Sequence, residues 1–452
     1  MRTHTNQMER HFESTLPADT HDAGRGLLWR IVAGRIVTVA VIWTFAFQTS
    51  ALPAQAAGGN IIVQSLSGWS DPAVCSLRDG ILAANLDTSV GACPAGDGDD
   101  TILINVAGTI NLTSTLPTII QPLAIRGPGP DELTIQRDPA APPFRLIEIS
   151  GTNGSPFSVT IAGLRLSNGY APGLNGGAVL VNDPSTLTMK NVVFENNIAA
   201  NGGAIFTQGP LEVTRAVFRN NVAQAGGGGA AYTTGGATIS ASLFISNTAT
   251  GGTIISPSIG GGGAIRLNTA PDSPRLNWVV NSVFARNTIA ESAVGGAAIR
   301  ISSAYSSHLA HNTIIGDNII NPQSAIYVSG AGDAIAHITN TIVTSHAVGI
   351  HRGGPVSVTQ DYNLFYSVIT DVVGQVAGGA NTRAGDPLFV DPATDNYRLQ
   401  TGSPAVDKGA NAGIPDDYDD QQRPLGFGPD IGAFELNPGW ELRRVYLPVS
   451  RR

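Results

Sequence analysis

From residue 101 onward, hydrophobic and polar positions alternate in short runs. Leu187 to Phe194, Leu211 to Thr214 and Ala237 to Ser240 are rich in β-branched residues and bounded by Gly, Asn and Pro. That is the pattern of strands with one face turned inward. No stretch of this region sets apolar residues at helical spacing. The runs carry a repeating punctuation. A Gly-Gly-Ala-apolar motif stands at Gly176–Val179, Gly202–Ile205, Gly228–Ala231, Gly262–Ile265 and Gly295–Ala298. A Phe-x-x-Asn motif interleaves with it at Phe194–Asn197, Phe218–Asn221, Phe244–Asn247 and Phe284–Asn287. The Gly-Gly-Ala period is 26 residues at first and stretches to about 34, which marks a solenoid or array.

A repeat this short, without a helix, leaves no room for the four strands of a propeller blade. It predicts an all-β, right-handed, single-stranded parallel β-helix with two or three strands per turn and about 4.8 Å between turns. Phe194, Phe218, Phe244 and Phe284 are expected inside as one stack. Asn197, Asn221, Asn247 and Asn287 are expected where the chain bends. Asn tolerates left-handed backbone there, and its amide can bond to the Asn above and below.

High Gly with few charged and few aromatic residues fits thin stacked columns. The net charge of −8 offers no basic patch, so nucleic acid is not an expected partner. At the N-terminus Arg25, Arg30 and Arg35 precede an apolar run from Ile36 to Phe47, followed by the small residues of Ala54-Gln55-Ala56. This reads as a secretory leader over residues 1–56, with a run too short to span a bilayer. Cys75 and Cys93 are the only cysteines, an even pair that suggests a disulfide in an exported protein. Leu77, Ile81 and Leu82 or Ala84 between them have helical spacing. They predict a helical N-terminal cap, pinned by that bond, over residues 57–100. The solenoid is expected over 101–400, an irregular C-terminal cap over 401–435, and a sorting or anchoring tail over 436–452.

The Gly-Gly-Ala and Phe-x-x-Asn pair over about residues 163–290 resembles the repeats of the chlamydial polymorphic outer-membrane proteins, surface adhesins with β-helical passengers. Cys75 to Asn85 resembles the opening of many bacterial secreted right-handed β-helix proteins of the pectate-lyase-like, choice-of-anchor kind. Asp386–Asp391, Tyr397–Leu399, Ser403–Gly409 and Asp430–Glu435 are similar to their close. The resemblance implies a β-helix fold and a secreted or bacterial cell-surface location. It leaves the chemistry open, because such families mix adhesins with polysaccharide enzymes.

Aligning the turns on the Gly-Gly-Ala column brings Leu180, Phe206, Tyr232, Arg266, Arg300, Tyr327 and His351 into line. The residue before each is almost always aliphatic and is expected in the core. The aromatic and basic column, with the Ala column beside it, is then expected outside. Together they would form a shallow trough about 29 Å long. Phe206, Tyr232, Arg266, Arg300, Tyr327 and His351 are the candidate ligand-binding residues, for a polysaccharide or cell-surface glycan whose rings stack on aromatics and whose carboxylates meet Arg. No catalytic residue stands out. A lyase needs a base near Ca²⁺-binding acids, and a hydrolase needs paired carboxylates. Glu212, Asp272, Glu291, Asp317 and Asp333 are scattered. Acids cluster only at Asp97–Asp100 and Asp416–Asp420, where Ca²⁺ is conceivable but a solvated turn is the plainer reading. His308 and His311, three apart, point to opposite faces. No cofactor or metal is called for. The sequence therefore reads as a monomeric exported scaffold, adhesive or glycan-binding. A polysaccharide lyase or hydrolase and a purely structural surface protein are the alternatives.

Overall fold

The computed structural model describes residues 59–437, except 152–154, 252–259, 270–275, 291–294, 304, 318–322 and 331–334. The expected leader, and the tail beyond Asn437, lie outside the described residues. Those residues form a right-handed parallel β-helix in which 28 strands join one sheet. A representative coil runs through Ile198–Asn201, Ile205–Thr207, Leu211–Thr214 and Val217–Arg219. The last three belong to the first, second and third faces. The short leading strand joins a separate five-stranded sheet at one corner. Where that corner strand occurs a coil has four strands, because the chain straightens briefly between the third face and the glycine pair. Elsewhere a turn keeps the expected two or three, as in Ser324–Val328, Ile335–Thr339 and Ile342–Arg352.

Pairing is in register from coil to coil. Ile205 lies between Val179 and Ala231 on the first face, and Leu211 between Leu187 and Ala237 on the second. On the third, Phe194, Phe218, Phe244 and Phe284 follow one another. These four rings are fully buried and stack face to face at 4.7 Å, with at most 5° between planes. The stacking matches ring contact to strand spacing, so one residue type suits these four successive coils.

The Asn residues form the predicted ladder. The Asn197 side-chain amide donates to Asn221 Oδ1 at 3.0 Å, Asn221 to Asn247 at 2.9 Å and Asn247 to Asn287 at 2.9 Å. Each oxygen also accepts the backbone N–H of the Asn one coil back. The left-handed backbone lies one residue earlier, at Asn196, Asn220, Ser246 and Arg286. Bend and ladder are thus divided between neighbouring residues. A second bend, between the second and third faces, uses Asn191, Arg215, Ala241, Asn281, His311, Asn340 and Tyr362 in the same left-handed conformation.

The two glycines of the first four Gly-Gly-Ala motifs have separate reasons. Gly176, Gly202, Gly228 and Gly262 have φ between 56° and 75°, a region costly for other residues. Their successors have no room for a side chain. A Cβ on Gly203 would lie 2.2 Å from the Gly229 carbonyl oxygen, and one on Gly229 2.0 Å from that of Gly263.

At the N-terminal end helix α1 (Leu77–Leu86) starts at Ser76, whose hydroxyl accepts the Asp79 N–H at 3.1 Å. Leu77, Ile81 and Ala84 are buried, and the helix backbone at Gly80 sits against Ile61, Val63 and Ile102 of the first coils. The helix thereby closes the open end of the core. Cys75 and Cys93 are bonded, with Cα atoms 4.6 Å apart.

The last paired coil strand is Arg383–Ala384, short of residue 400. Beyond Ala384 the chain turns back along the outside of the third face. Phe389–Asp391 pairs antiparallel with Asn396–Leu399. Tyr397, Ala433 and Phe434 pack on Ile245, Val283 and Ala285, while Leu399, Ala405 and Ile431 pack on Ile342 and Leu364. This irregular C-terminal segment therefore covers a flank of the coil, held by Arg286 to Asp395 at 2.7 Å and by Arg215 to Asp420. Among the described residues no helix is long and apolar enough to cross a membrane.

Candidate functional site

The structure brings the predicted outer column together. Leu180, Phe206, Tyr232, Arg266, Arg300, Tyr327 and His351 are successive register partners on the first face. Phe206 meets Tyr232 edge to face at 5.1 Å, and Tyr327 meets His351 likewise at 4.9 Å. Between them the Arg266 guanidinium lies 4.9 Å over Tyr232 and that of Arg300 lies 5.2 Å over Tyr327. Each cation turns to the ring on its own side and away from the other cation. Burial lowers the pKa of both arginines. Arg300 falls to about 10 through burial and the neighbouring Arg266, and both stay charged at neutral pH.

The column is not the open trough that alternation predicted. Phe206, Arg266, Arg300 and Tyr327 are buried, and only Tyr232 and His351 are part-exposed. The backbone at Gly227 and Gly261 passes directly over Arg266 and Arg300, and Gly353 over the Tyr327 ring. Arg300 donates to the Gly260 carbonyl. The Ala column is also misplaced by strict alternation. Ala178, Ala204, Ala230, Ala264 and Ala298 all belong to the core. The N–H groups of Ala204 and Ile205 both donate to the Ala230 carbonyl. The chain bends there, and two consecutive side chains face inward.

The second face presents a column that the Gly-Gly-Ala alignment missed. Thr160, Thr188, Glu212, Thr238, Trp278, His308, His337, Thr359 and Ala377 are successive outward partners. Trp278 stacks on His308 at 4.3 Å and 12°, and His308 on His337 at 4.9 Å and 19°. All three rings are part-exposed, while Glu212 and Thr238 are exposed. Burial, and then His337 beside it, lowers the His308 pKa. His337 Nδ1 is 2.9 Å from the Thr359 hydroxyl, and the Thr188 hydroxyl donates to Glu212 at 3.1 Å. A shallow cleft of about 330 Å³ at the His337 end is lined by Thr339, Thr359, Gln360, Asp361 and Gly378 among others. The sequence signal was the outward residue before Val279, Leu309 and Ile338. It was hidden because the residue type changes from coil to coil. As expected from the spacing, His308 and His311 diverge, the first outward and the second buried at a bend.

In the acidic clusters carboxylates hold the chain's own N–H groups and arginines, although Asp100 Oδ2 is buried without a partner among the described residues. Asp100 accepts the N–H groups of Gly59 and Asp97. Asp417 accepts those of Asp419, Gln421 and Glu435, and Asp419 pairs with Arg398. Among the described residues no three His, Cys, Asp or Glu side chains converge to hold a metal ion. Asp272, Glu291 and Asp333 lie outside the described residues.

Residues 191–208, one Phe-x-x-Asn and one Gly-Gly-Ala unit, match the Chlamydia polymorphic membrane protein repeat. No curated protein matches the chain. Among solved structures it is similar to pectate lyase Pel9A, at 13% identity and a TM-score of 0.42, over 84% of this chain and 97% of that one. The chain is a right-handed parallel β-helix, and its segment 191–208 matches one repeat of the polymorphic membrane protein kind.

Proposed function

We propose that the protein is an exported scaffold, at the cell surface or outside the cell, that binds a glycan chain without cleaving it. The observation that carries this reading is the outward register of the coil. Side chains one coil apart stand in line, as Trp278, His308 and His337 do, so the surface repeats about every 4.8 Å along a rigid axis. An extended polymer with a regular repeat is the ligand such a surface suits, and rings with polar neighbours suit sugars. The disulfide between Cys75 and Cys93 favours an oxidising compartment. The match of residues 191–208 to a polymorphic membrane protein repeat supports the same reading.

The test is a glycan array probed with the purified mature chain, followed by incubation of each bound polysaccharide with the protein and Ca²⁺. Retention on the array with neither unsaturated product in the ultraviolet nor new reducing ends is expected. Turnover would make the protein a lyase or hydrolase. Silence across the array would leave a structural role.

A further inference from the structure

We propose that Trp278, Thr238 and Glu212 form a binding step for one ring of a neutral glycan chain on the second face. This rests on the glycan-binding reading above and gives it a place and a ligand class. The three stacked rings of Trp278, His308 and His337 hide their faces from one another. The Trp278 face turned toward Thr238 is different. Thr238 is its register partner one coil back, and Glu212 is the partner one coil further. Both are exposed, and both leave a drop beside a tall indole. From the Glu212 coil to the Trp278 coil is two strand spacings, about 9.6 Å. That separation leaves room for one sugar ring between the indole and the carboxylate.

The chemistry of the step selects the sugar. An indole face takes the apolar C–H face of a pyranose. The Thr238 hydroxyl forms the floor. On the neighbouring outward row Thr214 and Ser240 add two more hydroxyls, 3.3 Å apart. The Glu212 carboxylate accepts sugar hydroxyls and is already oriented by Thr188. A uronate would place its own carboxylate beside Glu212 and be disfavoured. Among the described residues Lys190 is the nearest cation on these outward rows, beside Thr214 and one coil further from Trp278. His308 and His337 touch no ligand here. They are positioning residues that keep the indole upright.

The probes are cellohexaose, xylohexaose, mannohexaose and hexagalacturonate, titrated into the full mature chain by calorimetry and by tryptophan fluorescence. At least one neutral hexaose should bind, and more tightly than hexagalacturonate. Trp278→Ala should weaken that binding by about tenfold or more, and Trp278→Phe by only a fewfold. Thr238→Trp, which removes nothing but fills the step, should abolish it. That variant keeps the test valid if Trp278→Ala folds poorly. His308→Ala should weaken neutral binding less than Trp278→Ala and broaden the indole emission, which loss of a direct contact would not do. Neutral binding unchanged in Trp278→Ala and Thr238→Trp would overturn the site while leaving glycan binding intact. Preference for hexagalacturonate would overturn the neutral class. Failure of every hexaose to bind would overturn the glycan-binding reading itself.

Discussion

At the scale of single residues, stability rests on polar groups that are buried and satisfied. Asn247 shows the arithmetic. Its amide donates to the Phe218 carbonyl and to Asn287, and its oxygen accepts from the backbone and side chain of Asn221. Asn247→Ala leaves several of these groups buried without partners, at about 1–3 kcal/mol each. A total loss of about 3 kcal/mol or more in urea unfolding is expected. A loss below about 1 kcal/mol would mean that water replaces the amide. His346 is the second case. It is buried, donates to the Thr344 carbonyl at 2.7 Å, and burial pushes its pKa down to about 4, against smaller upward pulls from that hydrogen bond and then from Asp317. A depressed pKa means that its contribution is complete above about 6.5, the unfolded value, and is lost as pH falls toward 4. Unfolding free energy should therefore drop over that window, by up to about 3 kcal/mol from this group. His346→Gln should flatten the slope, and an unchanged slope would show that other groups set it.

At the scale of elements, the coil was legible and its coverings were not. The Phe stack and the Asn ladder repeat one residue type at one phase, so the sequence displays them as motifs. The second-face column changes from Thr to Glu, Trp and His, and only the alternation before Val279, Leu309 and Ile338 betrays it. The trough failed for a local reason. The bend after the glycine pair turns Ala204 and Ile205 inward together, and backbone at Gly227, Gly261 and Gly353 sheathes the outward residues. Neither effect follows from alternation within a strand. The helical cap was legible because its own spacing and its two cysteines are close in sequence. Its disulfide closes a separation of 18 residues, for which the chain-entropy model gives about 3 kcal/mol. Reduction should lower the denaturation midpoint and first expose the amides of Leu77–Leu86 to hydrogen exchange. Uniform loss of protection along the whole coil would mean that the cap is not a separate cooperative unit.

At the scale of the whole molecule, a solenoid is a one-dimensional array in which each coil touches only its neighbours, and the returning C-terminal segment changes that. It reaches from Arg215 to Leu364 along the third face, so it joins coils that do not otherwise meet. No repeat marks it, and its partners are far away in sequence, which is why it read as an end cap. The outward residues beneath it do carry a trace. They pass from Glu195 and Arg219 to Ile245, Ala285 and Ile315 where the cover begins. The segment is held by one buried charge centre. Arg423 donates to Glu435, to the Gly432 carbonyl at 2.9 Å and to Asn281 of the coil at 3.3 Å. Glu435 in turn accepts the N–H groups of Leu425 and Asp430. Asp430 is held near pKa 6 by burial, and Asp417 is raised by the same cause. Removing the cation leaves these carboxylates buried without it, so Arg423→Ala should cost about 3–5 kcal/mol. The loss should be local at first. Protease should cut between residues 385 and 437, and a hydrophobic dye should bind the uncovered Ile245, Val283 and Ile315. Far-ultraviolet β signal should persist. Replacing both partners, Arg423→Met with Glu435→Met, removes the charge as well as its partner and should recover only part of the loss, because the Leu425 and Asp430 N–H groups lose their acceptor and Asp417 and Asp430 stay buried. If Arg423→Ala instead melts the coil in the same step as the segment, the clasp and the solenoid are one cooperative unit, and the coils do not stand as a simple array.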